Sequence, residues 1–389
     1  MSEYIPFITS QAVLKLVNTH YPDAEFSHVP LELLTRGISI PHSIKVWVDG
    51  GVDGFGDFLN RPTVASWYQL MKKLPEFDKL GDSAFVSKPD KDFVRMFVEA
   101  LLDKCAAYKP AWISVPQLPF ANDTKHNKIN RALAEASGGW KSAKNYSGRF
   151  ILPVIITHRS QIKRKIERNP KIEQVRRCYQ ESQADGFWVV DTCLCDEEGS
   201  ATLRKERFGE IIAFHKELNE KVPARIKIGG PYWGMNLVLW AKGLVDYPAT
   251  GIGGGFKYFL SGGRGNPPSA RLAITHLRRR VEAVQLNSWL EKAMKILGQN
   301  HPAHKEFEHL KKHLGLYADS REAAQTQVAK FYKSWFDSIA SNPKAGRSLA
   351  LFQDLSAAYA LGHSLPEFEK AEAARKAESI AEPLMLNCL

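Results

Sequence analysis

Two apolar runs that end in glycines, both inside Arg225–Gly265 (ARIKIGGPYWGMNLVLWAKGLVDYPATGIGGGFKYFLSGGRG), constrain the fold of this chain more than any other feature. Ile226–Ile228 runs into Gly229-Gly230, and Ala249–Ile252 runs into Gly253-Gly254-Gly255. A strand that stops at glycines leaves backbone N–H groups open to the close approach of a ligand. Between the two lies Met235–Leu244, helical in character, and a strand–helix–strand unit implies parallel pairing. Lys227, Lys257 and Arg264 place cations near the strand ends, a combination that suits an anion or a phosphate. A plainer reading, in which the glycines only make tight turns, stays open beside it.

The rest of the chain repeats the alternation. Tyr4–Thr9, Ser43–Val48, Asp82–Ser87, Ala111–Val115, Phe150–Thr157, Gly186–Asp191, Arg225–Ile228 and Ala249–Ile252 read as eight strands. Phe150–Thr157 (FILPVIIT) is a nearly continuous apolar run, as expected for a strand buried on both faces. Helical spacing fills Asp92–Ala107, Asn127–Ala136 (stopped by Gly138-Gly139), Gln161–Glu181 and residues 203–219. Eight strands alternating with helices predict an α/β fold, a (β/α)8 TIM-barrel-like domain over 1–285, with an open doubly wound sheet as the alternative. From Asn266-Pro267-Pro268, a helix-start signal, a helix with Leu272, Leu277, Val281 and Val284 on one side is expected. The remainder, 286–389, reads as a C-terminal helical domain. In either α/β fold the ligand lies beyond the carboxyl ends of the strands, where Asp49, Gln117, His158, Asp191 and the glycine clusters fall.

Charge bears on the partner. The net charge of +11 favours a polyanion, and nucleic acid, tRNA or DNA, is the expected partner. Two basic stretches, His158–Arg177 and Arg271–Arg280, are expected on helix surfaces near the mouth. Arg159, Lys163, Arg164, Lys165, Arg264, Arg278, Arg279 and Arg280 are the residues that would meet phosphates. No apolar stretch is long enough to span a membrane, and MSEYIPFITS lacks the pattern of a signal peptide, so a cytoplasmic location is expected. Five scattered cysteines argue for reduced thiols. Cys193-x-Cys195 has no second pair at zinc-finger spacing, so no metal and no cofactor are assigned.

Asp49 and Asp191, both at strand ends, are the candidate catalytic carboxylates, and His158 is a candidate acid/base. A pair of carboxylates serves a glycosidic bond, one stabilising or attacking the electrophilic carbon while the other handles protons. Gly50, Gly51, Gln117, Gly229, Gly230, Gly253, Gly254, Gly255 and Lys257 are candidate substrate-binding residues. Tyr232 and Trp233 are read as a stacking wall for a small planar base or nucleotide, with core packing as the competing role. Cys193 is a weaker candidate nucleophile.

The order of elements resembles the tRNA-guanine transglycosylase superfamily, including its relatives that insert deazaguanines into DNA. Asp49-Gly50-Gly51 with Phe55 is similar to that family's Asp-x-Gly-Gly-Phe element, and Gly229-Gly230-Pro231-Tyr232-Trp233-Gly234 to its Gly-Gly base-binding loop. The resemblance implies a (β/α)8 barrel and makes Asp191 the aspartate that reads the base. The family's zinc-binding Cys-x-Cys-x-x-Cys is absent, and Asp246 is the sole nearby counterpart of its nucleophilic aspartate. The expectation is an enzyme acting at an N-glycosidic bond or base of a nucleotide or nucleic acid. The alternatives are a non-catalytic nucleic-acid-binding barrel and a barrel enzyme on a small phosphorylated or sugar substrate.

Overall fold

The computed structural model describes residues 3–41, 43–51, 73–74, 90–119, 124–194, 201–251, 270–369 and 375–389, with the backbone alone at 124–125 and 201–204. Eight parallel strands follow one another in chain order: β1 (Ile5–Phe7), β2 (Phe26–Pro30), β3 (Lys45–Asp49), β4 (Trp112–Ser114), β5 (Arg149–Ile156), β6 (Gly186–Asp191), β7 (Ile226–Gly229) and β8 (Tyr247–Gly251). Phe7 of β1 lies opposite both His28 of β2 and Gly251 of β8, so the sheet closes and no edge is left to pair with another chain. Helices α1 (Gln11–His20), α2 (Leu31–Thr35), α3 (Lys91–Ala106), α4 (Thr124–Ala143), α5 (Lys165–Glu181), α6 (Ala201–Lys221) and α7 (Met235–Ala241) link successive strands. The fold is a (β/α)8 TIM-barrel-like domain followed by C-terminal helices.

One strand differs from the expected set. Asp82–Ser87 lies outside the described residues, and the place between β1 and β3 belongs to β2 (FSHVP). This five-residue run escapes a sequence reading because His28 interrupts its apolar character and Pro30 ends it.

Aromatic rings fill the barrel. Partnered residues on adjacent strands share a face, which sets Phe7, His28, Trp47 and Trp112 in one row. Phe7 stacks on His28 at 4.0 Å, Trp47 meets Trp188 edge-on at 5.2 Å, and Phe26 stacks on Trp112 at 3.9 Å. These rings are nearly or fully removed from water, so the barrel axis is a packed core and not a pore.

Helix α4 runs through Gly138-Gly139, where a stop was expected. A Cβ at Gly138 would sit 2.0 Å from the Glu181 carbonyl oxygen at the end of α5. The glycine is there for close helix–helix approach, and it does not terminate the helix.

The stretch expected as a basic helix around Arg271–Arg280 is an antiparallel hairpin, β9 (Arg271–Ile274) and β10 (Arg279–Glu282). Leu272 faces Val281 across it, both fully buried, and Arg278 makes the turn with φ 52°. The expected alignment of Val284 with this face fails: it lies in the first turn of the next helix and is 71% exposed. Gln327 accepts from Ala273 N at 2.9 Å and donates to Ala273 O at 2.8 Å, so a side chain takes the place of a neighbouring strand. The hairpin shares a second apolar core with α8 (Ala283–Ile296) and α9 (Pro302–Asp319), where Trp289 stacks on Phe368 at 4.4 Å. Next come α10 (Arg321–Ala340) and α11 (Arg347–His363), which bring Tyr332, Trp335, Leu351 and Leu355 into the barrel's core, and α12 (Ala381–Met385). Among the described residues, no helix is long and apolar enough to cross a membrane.

His215 of α6 is fully buried, and neither ring nitrogen has a partner among the described residues. Burial, aided by Lys227, pushes its pKa down to about 3, so the imidazole is neutral in the fold. The unfolded chain takes up that proton near the ordinary histidine pKa of about 6.5, so this contribution to stability is present above that pH and lost as pH falls toward 3. The slope of about 1.4 kcal/mol per unit predicts a loss of about 2 kcal/mol by about pH 5. The variant His215→Leu should lack this component. Urea midpoints of both proteins at about pH 7.5 and about pH 5 should diverge on acidification, and a constant gap would contradict the assignment.

Candidate active site

Asp49 closes β3 at the carboxyl end of the barrel, and both of its oxygens are held. Oδ1 accepts from Gly51 N at 3.0 Å, and Oδ2 lies 3.1 Å from Nε2 of His28. Gly51 has φ 73°, a conformation that glycine adopts without strain, and this turns its N–H back to the carboxylate. His28 is 3% exposed, and its Nδ1 has no partner among the described residues. A proton on Nδ1 would bury an unpaired N–H, so we assign Nε2–H as the donor to Asp49.

Beside Asp49, Ser114 at the end of β4 accepts from Trp47 Nε1 at 2.9 Å. Gln117, three residues on, is 1% exposed. Asp49, Gly50, Ser114, Gln117, Ile155 and Trp188 line one narrow cleft with a free volume of about 10 Å³, room for a single water-sized group. Asp49 and Gln117 therefore come together as the sequence anticipates, and His28 joins them.

Asp191 takes another part. It ends β6 with no exposed surface, 2.6 Å from Nε of Arg207 on α6, with Cys193 N donating to Oδ1 at 3.0 Å. Burial pushes the Asp191 carboxyl above the usual carboxylate range, against the pull of Arg207 and of the Cys193 N–H. Arg207 also donates through Nη1 to the Arg159 carbonyl at 2.9 Å. Asp191 is not among the residues lining the Asp49 cleft. Burial and the adjacent Asp191 carboxylate raise the Cys193 thiol pKa, which disfavours the thiolate that a nucleophile needs.

The glycine pair after β7 is packed, and its aromatics are not a ligand wall. A Cβ at Gly229 would lie 2.9 Å from Val245 Cγ1, and the Gly230 carbonyl accepts from Trp188 Nε1 at 2.6 Å. Tyr232 is fully buried and donates through its hydroxyl to Val189 O, and that hydroxyl accepts from Asp191 N at 2.7 Å. Trp233 is 4% exposed and packs against Phe331, Tyr332 and Trp335. Gly253, Gly254, Gly255, Lys257 and Arg264 lie outside the described residues.

Several expected phosphate contacts are occupied within the protein. Arg278 binds Asp354 through Nε at 2.8 Å, and Arg279, 1% exposed, sits over the Phe368 ring at 4.4 Å and donates to the Lys376 carbonyl at 2.8 Å. Arg280 lies over Trp233 at 4.9 Å. They point inward because the segment is a hairpin docked on helices. Arg159 pairs with Glu206 and Glu210. His158 sits exposed after β5. Lys163, Arg164 and Lys165, where β5 leads into α5, are exposed.

Sequence reasoning missed His28, Arg207 and Asn130, a buried residue of α4 whose side chain accepts from Leu118 N, next to Gln117. His28 carries a weak signal, a histidine two places from Phe26 in a short β-like run; the others become visible only with tertiary pairing. Among the described residues, no group of three or more His, Cys, Asp or Glu side chains is placed to hold a metal ion.

No family model matches this chain, and no curated protein matches it. Among solved structures it is similar to that of a probable tagatose 6 phosphate kinase from Sinorhizobium meliloti 1021, at 12% identity and a TM-score of 0.30, over 98% of this chain and 96% of that chain. A likeness that weak carries no argument, and the function has to be read from the site.

Proposed function

We propose that this chain is a TIM-barrel enzyme acting on a small phosphorylated substrate, a sugar phosphate or a nucleotide, with Asp49 as its reacting carboxylate. The observation that carries the reading is the setting of Asp49: a carboxylate held at both oxygens, at the carboxyl end of a barrel strand, in a narrow cleft that it shares with Ser114 and Gln117. Active sites of TIM barrels lie on that face. Such a carboxylate takes or gives a proton, or attacks an electrophilic carbon. Two features support a phosphate. Lys163, Arg164 and Lys165 are exposed where β5 leads into α5. The residues directly after β8 carry three glycines, Lys257 and Arg264, and the loops after strands seven and eight are where such barrels often hold phosphate.

The same exposed cations favour a second reading, in which the substrate is a base within nucleic acid and Asp49 acts at its N-glycosidic bond. That reading retains one carboxylate in the cleft, since Asp191 is engaged by Arg207. A direct test sets pentose phosphates, hexose phosphates and nucleoside monophosphates beside tRNA and duplex DNA over a salt series. Saturable binding or turnover of a small phosphorylated compound is the expected result. Binding confined to tRNA or DNA, with a steep salt slope, would overturn the first reading in favour of the second.

A further inference from the structure

Gln117 carries a polar atom that the fold fixes and leaves without a partner among the described residues. Its Nε2 donates to the carbonyl oxygens of Pro116 at 2.7 Å and Asn130 at 3.0 Å. Both partners are acceptors, so the amide has one orientation: a flip would set Oε1 against two carbonyl oxygens. The segment that carries it is clamped as well. Asn130 of α4, fully buried, accepts from Leu118 N at 2.7 Å and donates to Leu118 O at 3.0 Å. Oε1 itself is buried and has no hydrogen-bond partner among the described residues. Gln117 is one of the residues that line the cleft together with Asp49. An isolated buried acceptor is unfavourable, and keeping one in a fixed direction beside a reacting carboxylate makes sense if a ligand donates to it.

We propose that Gln117 Oε1 is the specificity-determining acceptor of this site, selecting substrates that present a hydroxyl or ring N–H beside the group that meets Asp49. The inference rests on the reading of this mouth as the active site for a small phosphorylated substrate, and it adds what that substrate must carry. Sites built to hydrogen-bond a donor discriminate strongly against analogues without it, because the protein's polar group is then buried unpaired. A neutral amide oxygen accepts without adding charge next to Asp49, so a donor is read while the carboxylate is left to react.

The test uses the full chain and two families of probes. One is ribose 5-phosphate with its 2-deoxy and 3-deoxy analogues, and the other is guanosine monophosphate with its N1-methyl derivative, which lacks the ring N–H. Binding is measured by titration calorimetry to the native protein and to Gln117→Met, which keeps the side-chain length and removes the acceptor. In at least one family, the native protein should bind the donor-bearing probe on the order of tenfold or more tighter than one donor-lacking analogue. In Gln117→Met that gap should close, through loss of affinity for the donor-bearing probe alone. The family that responds tells a hydroxyl donor from a ring N–H. Equal affinity for every probe and analogue in the native protein would overturn the inference, and this arm stands even if the variant fails to fold. So would a variant that weakens all probes by one factor, as a purely structural role predicts. Absence of binding by every probe would instead overturn the small phosphorylated substrate reading, and the inference would fall with it.

Discussion

Asp49→Asn is expected to lower turnover by about 10³-fold, within the range spanned by removal of a general acid–base group, while the protein stays folded. Asparagine matches aspartate in shape, and its amide oxygen still accepts from Gly51 N, the bond that shapes the end of β3. The other half of the amide faces His28 Nε2, now donor to donor, so His28 must shift its proton to Nδ1, which lies buried among the barrel rings. That rearrangement should cost about 1–2 kcal/mol, well short of unfolding the barrel. Turnover of whichever phosphorylated compound the wild type accepts, set beside the thermal midpoint, checks both halves. A variant that keeps its melting point and its turnover would remove Asp49 from the chemistry. His28→Gln offers a finer contrast. It should reduce turnover less than Asp49→Asn, because His28 does not line the cleft and acts by orienting the carboxylate.

The barrel was legible because seven of its strands carry their own local signal. β5 is apolar throughout after Arg149, and β3, β6 and β7 end in an aspartate or a glycine, as strands at a barrel mouth do. β2 was not, since its burial comes from neighbours on both sides: Phe26 against Trp112, His28 against Phe7. The hairpin Arg271–Glu282 was read as helix for a related reason. Its arginines suggest a solvated surface, and what holds Arg278 inside is Asp354, 76 positions away.

Site residues follow the same division. The end of β3 identified Asp49 from one strand alone, yet its partner His28 lies on the adjacent strand, 21 positions earlier, and only the pairing register brings them together. Glycine is ambiguous to a sequence reader, because it permits the close approach of a ligand and of a side chain alike. At Gly229 and Gly230 the approaching groups are Val245, Leu239 and Trp188. Aromatics next to such glycines were therefore part of the packing. Asp191 shows the limit most clearly, since a carboxylate at a strand end looks the same in sequence whether it faces a ligand or a buried arginine.

That difference has a measurable consequence. Arg207→Leu is expected to destabilise the protein by about 3–5 kcal/mol near neutral pH, because it strands the Asp191 carboxylate in a site without solvent. Burial already pushes that carboxyl up, and Arg207 is first among the groups pulling it down, so its removal raises the folded-state pKa further. A carboxyl whose folded pKa exceeds its unfolded value binds more protons in the native state between the two, so the variant loses stability as pH rises through that window. The deficit relative to wild type should therefore be smaller at about pH 5 than at about pH 8, as read from urea midpoints. A deficit that does not change with pH would mean that lost packing around the guanidinium stem dominates. Pairing the change with Asp191→Asn removes the stranded charge and should recover much of the loss. The double variant also separates the two roles open to Asp191. If the carboxylate serves only to tie β6 to α6, the refolded double variant keeps turnover within about tenfold of wild type at a temperature where it is folded. If Asp191 reads or attacks the substrate, turnover falls with the stability restored, and the chemistry then needs both strand ends.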